Sequence, residues 1–270
     1  MILVTGSEGF IGRNLVKKLF TENSDIFEFD AKHFEPMKLF GLIDFSKIKH
    51  IYHLGAISST VEKDVQKLYE HNVQFSLKLF GEAIRWKIPV TYTSSASVYG
   101  NTMKDEKYDY NPLNYYALTK QLVEMWIADH FYEFVNIGIM RLFNVYGEDE
   151  RKDDMSTSPI YRFTQQAKND GYIKAFSNSH LASRDFVCVE DVLKSIEWVA
   201  ARKKSGMYDV GTGMPITFLE VAQIISKKYD APIKFIDMPS ELKGKYQWYS
   251  SARPSIPMPF MSVEEWLESR

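Results

Sequence analysis

The run Ile2-Leu3-Val4-Thr5-Gly6-Ser7-Glu8-Gly9-Phe10-Ile11-Gly12 constrains this chain more than any other stretch. Its apolar start reads as a buried strand, and three glycines spaced three apart turn that strand into a helix. Without Cβ atoms at Gly6, Gly9 and Gly12, the backbone can approach a bound group closely. The helix that follows offers unpaired N–H groups and a positive dipole end, a ready seat for a pyrophosphate. The next apolar run ends in Asp30, about 20 residues on, where a carboxylate can accept both hydroxyls of an adenosine ribose. Strand, glycine loop, helix and strand-end acid together predict a dinucleotide site. Asp30 favours NAD because it repels a 2′-phosphate; Lys32 and His33 just beyond can offset that repulsion, which leaves NADP open.

Through residue 147, short apolar runs alternate with helical patterns, as in a parallel sheet with crossover helices. Strands are expected at residues 2–5, 26–30, 50–54, 90–94 and 135–141, with helices at 10–20, 64–86 and 114–131. Between Asp30 and His53 there is room for only a degenerate strand or helix around 34–39. A charged stretch at 148–154 precedes a helix at 159–170. The pattern then returns to the first unit around 184–201 and 207–210. A further helix at 218–228 and Pro-rich irregular chain at 253–259 complete the reading. The expected fold is α/β. A doubly wound parallel sheet (Rossmann) takes residues 1–147 and 184–215, and a smaller interleaved α/β substrate-binding lobe takes 148–183 and 216–270.

The second motif, Tyr116-Ala-Leu-Thr-Lys120, puts a phenol and an ammonium on one helix face. That spacing is common on helix surfaces, so its context decides. Thr93-Ser-Ser-Ala-Ser-Val-Tyr-Gly100 is a strand ending in small hydroxyl residues, and ligands of parallel sheets collect at the carboxyl ends of strands. Ser94 and Ser95 are therefore expected at the cleft. A free tyrosine titrates at roughly 10 and is a poor base at neutral pH. A nearby Lys120 cation and a nicotinamide's positive charge would favour the phenolate, and lowering the pKa by about 3 units needs only about 4 kcal/mol. A dinucleotide site beside such a tyrosine points to hydride chemistry on an alcohol. Tyr116 is the expected acid/base, Lys120 its perturbing cation, and Ser95 the holder of the reacting oxygen.

Composition narrows the partners. With 270 residues and a net charge of −2, the chain has ample length for a core but no basic surface for nucleic acid or an acidic membrane. One cysteine, Cys188, excludes an internal disulfide and any CxxC site, and the six histidines show no metal-ligand spacing. No metal, no nucleic acid and no membrane are expected. Neither a membrane span nor a signal-peptide pattern is visible, so a cytoplasmic protein is the expectation.

The chain resembles the extended short-chain dehydrogenase/reductases, the family of nucleotide-sugar epimerases and dehydratases. The residues that carry the resemblance run nearly end to end. They are Thr5-Gly-x-x-Gly-x-x-Gly12, His53-Leu-Gly-Ala56, Asn72-Val, Ser94-Ser-Ala-Ser-Val-Tyr-Gly100, Tyr116-x-x-x-Lys120, Arg141-Leu-Phe-Asn-Val-Tyr-Gly147 and Arg184-Asp-Phe-Val187. The likeness implies one tightly bound NAD or NADP per subunit, with Phe10, Ile11, Leu54, Gly55, Ala56 and Asn72 lining its cleft and Lys120 on its ribose. It also implies a nucleotide-sugar substrate met by Asn144 and by Arg184 as a phosphate clamp, and a homo-oligomer. Against the family the chain is short between Asp30 and His53 and at its C-terminus, which thins the adenine side of the pocket. Ala96 and Ser97 stand where dehydratases of the family carry an Asp-Glu pair, so dehydration lacks its proton donor.

A narrower resemblance, to the branch of the family that inverts carbon 6 of an ADP-linked heptose, rests on Ser58-Ser-Thr60, Lys152 and Leu242-Lys-Gly-Lys-Tyr-Gln247. It implies Lys152 as the second acid/base group and Ser58 and Tyr246 as substrate contacts. A UDP-hexose 4-epimerase using Tyr116 alone, and a non-catalytic dinucleotide-binding scaffold, are the competing readings.

Overall fold

The computed structural model describes residues 1–33, 35–105, 109–150, 157–239, 247–253 and 255–270. In chain order its strands are β1 (Ile2–Thr5), β2 (Ile26–Phe29), β3 (His50–His53), β4 (Val90–Ser95), β5 (Ile137–Leu142) and β6 (Asn144–Tyr146). They continue with β7 (Ile173–Phe176), β8 (Ser183–Arg184), β9 (Phe186–Cys188), β10 (Gly206–Val210), β11 (Ile216–Thr217) and β12 (Ile233–Ile236). The helices are α1 (Phe10–Thr21), α2 (Leu39–Leu42), α3 (Val65–Leu68), α4 (Phe75–Arg85) and α5 (Tyr115–Asp129). After them come α6 (Pro159–Asp170), α7 (Val189–Ala201), α8 (Phe218–Tyr229) and α9 (Val263–Glu268).

Six strands form one parallel sheet in the order β10-β5-β4-β3-β1-β2. β1 pairs with β2 on one side and β3 on the other, so the direction of strand addition reverses there. That reversal opens a crevice at the carboxyl ends of β1 and β3. Alternate strand residues serve opposite faces. Leu3, Ile51, Val90 and Ile137 pack with Phe75, Leu79, Phe80, Val123 and Ile127 of α4 and α5. Val4, Tyr52, Met140 and Leu142 pack with Leu15 and Leu19 of α1 and Val192 and Ile196 of α7. Helices on both faces explain why these strands read as unbroken apolar runs. A further core joins Ile160 and Phe163 of α6, Ile173 of β7, Val221 and Ile225 of α8, and Trp266 and Leu267 of α9.

Between Asp30 and His53 the degenerate helix is the alternative that forms, whereas the 64–86 helix and the C-terminal end differ from the sequence expectation. The segment after β2 forms a 3-10 turn at Pro36–Lys38 that runs into α2, and a second at Phe45–Lys47. Leu39, Phe45 and Ile48 anchor it to the core, and the span is too short for another strand and its crossover. Among the described residues the sheet therefore ends at β2. The expected helix at 64–86 is interrupted by a π-helical turn at Tyr69–Gln74, between α3 and α4. At the other end of the chain, α9 was not anticipated; Ser262 and Glu265 close it with a reciprocal capping box.

His53, at the end of β3, is fully buried between Thr5 Oγ1 and Ser76 Oγ, each 2.7 Å from a ring nitrogen. Burial pushes its pKa down to about 3, and Lys120 adds to the effect; burial brings His50 to about 4. Both values lie below 6.5, so between about pH 6.5 and 4 the unfolded chain binds protons that the native state refuses. Stability therefore falls as the pH drops through that window. From pH 7.5 to pH 5 each histidine should withdraw about 2 kcal/mol. Urea unfolding across that range should show the loss, and His53→Gln should flatten the slope by roughly half. An unchanged slope would mean that His53 takes up its proton in the folded state.

Candidate active site

The glycine loop is built by close backbone approach. Gly6 has φ +71°, and a Cβ there would lie 2.5 Å from Gly55 Cα in the loop after β3. A Cβ on Gly12 would lie 2.0 Å from the Gly6 carbonyl oxygen, so the first turn of α1 sits directly on the loop. Gly9, the residue before α1, has no side chain to cap that turn. The helix thus directs its first N–H groups at the space beyond the loop, as an anion site requires. Asp30 lies just past β2, its two carboxylate oxygens each accepting a backbone N–H at 3.0 Å, one from Glu8 and one from Lys32. His33 forms a 2.7 Å pair with the Glu8 carboxylate. These residues fit a dinucleotide: a glycine cradle, a helix N-terminus and a strand-end carboxylate.

A cleft of about 1740 Å³ runs from this loop across the strand ends to α6, β7 and α8. Gly6, Gly9, Phe10, Ile11, Gly12, Leu54, Ala56 and Ser58 line one end, and Asn144 and Arg184 the other. Ser95, Tyr116 and Lys120 lie between them. Asp30 and Lys32 stand outside the cleft, at the open edge beyond β2, with Lys32 exposed. Gly55 faces Gly6 rather than the cleft. Asn72 lies behind the wall. Its amide nitrogen donates to the Ile57 carbonyl at 3.0 Å and to Thr119 Oγ1 at 3.1 Å, and its oxygen accepts the Ile57 N–H at 2.8 Å. It therefore shapes the wall from outside the cleft. Lys152 and Tyr246 fall outside the described residues.

Helix α5 brings the central side chains together. Asn114 starts it by accepting the Ala117 N–H, and Tyr116 and Lys120 then project from one buried face. Lys120 Nζ donates to the Thr93 carbonyl at 2.8 Å and stands 4.8 Å from the Tyr92 ring centre. Burial lowers its pKa to about 7, with Glu124 acting against it. Burial raises the Tyr116 pKa, and a side-chain hydrogen bond with Ser95 opposes the rise. Ser95 is thus the group that opposes the rise, a role beyond the expected one of holding the reacting oxygen. Ser94 also borders the cleft, but its hydroxyl donates to the buried Glu124 carboxylate; Ser95, whose Oγ accepts the Ser97 hydroxyl at 2.9 Å and the Ser97 N–H at 3.2 Å, is the serine that meets Tyr116.

At the far end, Arg184 is buried, donates to the Ser183 carbonyl at 3.0 Å and packs 5.6 Å from the Phe218 ring centre. Asp185 is no simple partner for it. That carboxylate accepts N–H groups from Thr212, Gly213 and Ala252 and the Thr212 hydroxyl. Asn144 donates to the Asp185 carbonyl at 3.3 Å. Sequence reasoning missed Arg162, Gln166 and Lys174, which add two cations and an amide to this end of the cleft. They come from α6 and β7, and no spacing rule joins them to Arg184.

Gly6→Ala should lower the melting temperature by several degrees and weaken NAD binding at least tenfold by titration calorimetry, from left-handed strain plus the Gly55 contact. Gly41→Ala, where a Cβ meets nothing within 4 Å, is the control and should leave both unchanged. Equal effects at the two positions would refute the packing argument.

Comparison with known proteins agrees with this geometry. A family model described as the NAD dependent epimerase/dehydratase family matches residues 2–211. The chain is 32% identical over 300 aligned positions to the ADP-L-glycero-D-manno-heptose-6-epimerase of Brachyspira hyodysenteriae, covering 97% of this chain and 94% of that protein. The crystal structure of the Helicobacter pylori ADP-L-glycero-D-manno-heptose-6-epimerase superposes with a TM-score of 0.76 at 26% identity, over 87% of this chain and 84% of that one. The UDP-N-acetylglucosamine 4-epimerase of Methanobrevibacter ruminantium, solved with UDP-N-acetylmuramic acid, gives a TM-score of 0.85 at 22% identity, over 99% and 98% of the two chains. At that identity the last likeness speaks for the fold alone.

Proposed function

The chain belongs to the NAD dependent epimerase/dehydratase family, and on that premise we propose that it inverts a carbon of a nucleotide sugar, specifically carbon 6 of an ADP-linked heptose. The observation that carries the reading is the Ser95–Tyr116–Lys120 cluster between a glycine-loop helix N-terminus and the Arg184 end of one cleft. The heptose assignment draws on the 32% identical relative that covers nearly the whole chain. Tyr116 takes the proton from the substrate hydroxyl while Ser95 holds the oxygen. NAD held there would supply a reversible hydride acceptor for that carbon. Lys120 orients the cofactor's ribose, and its charge favours the phenolate once the cleft is filled. Lys152 serves the second proton transfer, on the opposite face of the transient ketone. Arg184, with Arg162 and Lys174 nearby, holds the diphosphate, and Asn144, Ser58 and Tyr246 position the sugar.

NAD is preferred to NADP in this reading, since the strand-end carboxylate of Asp30 would repel a 2′-phosphate. His33, which could have offset that repulsion, is paired with Glu8. The core joining α6, α8 and α9 acts as the substrate-binding lobe. A homo-oligomer is supported by exposed Tyr115, Leu118, Leu122 and Met125, which form an apolar stripe along α5. No helix among the described residues is long and apolar enough to cross a membrane, and the site of action is taken as the cytoplasm.

Purified protein incubated with ADP-heptose, UDP-sugars and GDP-sugars should invert the heptose, read by NMR. Tyr116→Phe should reduce turnover by at least about a hundredfold, whereas a scaffold would lose nothing measurable. Lys152→Ala should reduce it comparably. Retention of activity within a few-fold in that variant would transfer the assignment to a hexose 4-epimerase working through Tyr116 alone.

A further inference from the structure

Tyr116, Lys120 and Glu124 follow one another on α5 at intervals of four, and each engages one of three consecutive residues at the end of β4. Tyr116 meets Ser95, Lys120 donates to the Thr93 carbonyl, and Glu124 accepts the Ser94 hydroxyl. Glu124 is fully buried, outside the cleft. Arg141 of β5 donates its Nε to both Glu124 oxygens at 3.1 Å, and the Tyr110 hydroxyl donates to Oε2 at 2.7 Å. Behind Arg141, the Tyr99 hydroxyl accepts from its Nη1 and donates to Asp209 at 2.7 Å, so the network reaches β10.

We propose that Glu124 is a positioning residue of the reaction: through Lys120 it keeps a cation beside Tyr116, and through Ser94 it holds the strand end that carries Ser95. The proposal rests on the reading of Tyr116 and Lys120 given above. A buried ion pair alone would not support it, since such pairs are often replaceable by apolar side chains without loss of stability. Here the carboxylate lies one helical turn from an ammonium whose own burial drives it toward neutrality. Among the described residues, the other titratable groups around Lys120 bring no counter-charge. His53 on β3 has a pKa of about 3 and is neutral; Tyr92 on β4 and Tyr116 itself are both raised by burial. Arg141 and Asp209, on β5 and β10, meet Glu124 and Tyr99 respectively.

The test follows the 15Nζ resonance of Lys120 in the NAD-loaded protein across a pH titration, assigned by its loss in Lys120→Arg. Glu124→Gln should lower the Lys120 midpoint by about one unit and move the pH profile of ADP-heptose turnover to lower pH. Ser94→Ala keeps the charge and removes the tether. It should reduce kcat several-fold with KM and the midpoint in place. If circular dichroism shows that Glu124→Gln does not fold, the double variant Glu124→Gln/Arg141→Met removes both charges without orphaning either, and a smaller downward shift is expected because the Arg141 cation goes as well. An unmoved midpoint overturns the charge role, and an unchanged kcat in Ser94→Ala overturns the tethering role. Full activity in Tyr116→Phe would instead refute the underlying reading, whatever the titration shows.

Discussion

The approach of two backbones at the centre of the sheet sets the rest of the structure. Where β1 and β3 end, Gly6 and Gly55 come so near that a Cβ on Gly6 would lie 2.5 Å from Gly55 and one on Gly55 would press on Gly6 at 3.1 Å, and Gly12 brings α1 onto the same point. That contact fixes the crevice at the switch point and aims a helix terminus into it. Every group assigned to chemistry is placed by its distance from this junction. The hydroxyls at the end of β4 and the face of α5 lie across it, and the cationic end lies beyond them.

Burial works in two directions inside the cleft. It raises the phenol of Tyr116 and lowers the ammonium of Lys120, which separately would leave a weak base beside a weak cation. The groups that resist these shifts are a hydroxyl, Ser95, and a carboxylate, Glu124, each anchored to the same short strand. Such sites are built by compensation: the low-dielectric surroundings that strengthen each interaction also penalise each charge.

Much of this was legible in the sequence because its signals are local. The glycine spacing, the apolar runs and the four-residue step from Tyr116 to Lys120 each lie within a few residues, and the structure places them as expected. What was not legible depends on residues far apart in the chain. Asn72 reads as a cleft residue by motif, but its amide is engaged with Ile57 and Thr119. Glu124 carries no signal until β5 brings Arg141 against it. Arg162 and Lys174 reach the cleft only because α6 and β7 fold back over it. The helix α9 was legible and overlooked: Ser262 and Glu265 stand three apart just before an apolar pair, a sufficient start signal.

Among the described residues, ending the sheet at β2 leaves its outer row of N–H and C=O groups without a strand partner. Long, flat, apolar margins of that kind recruit a second chain and lead to aggregates. This margin is four residues long and carries the exposed carboxylate of Glu28 at its third position. It is too short and too charged to template another molecule, so the economy of a narrower sheet does not create an adhesive border.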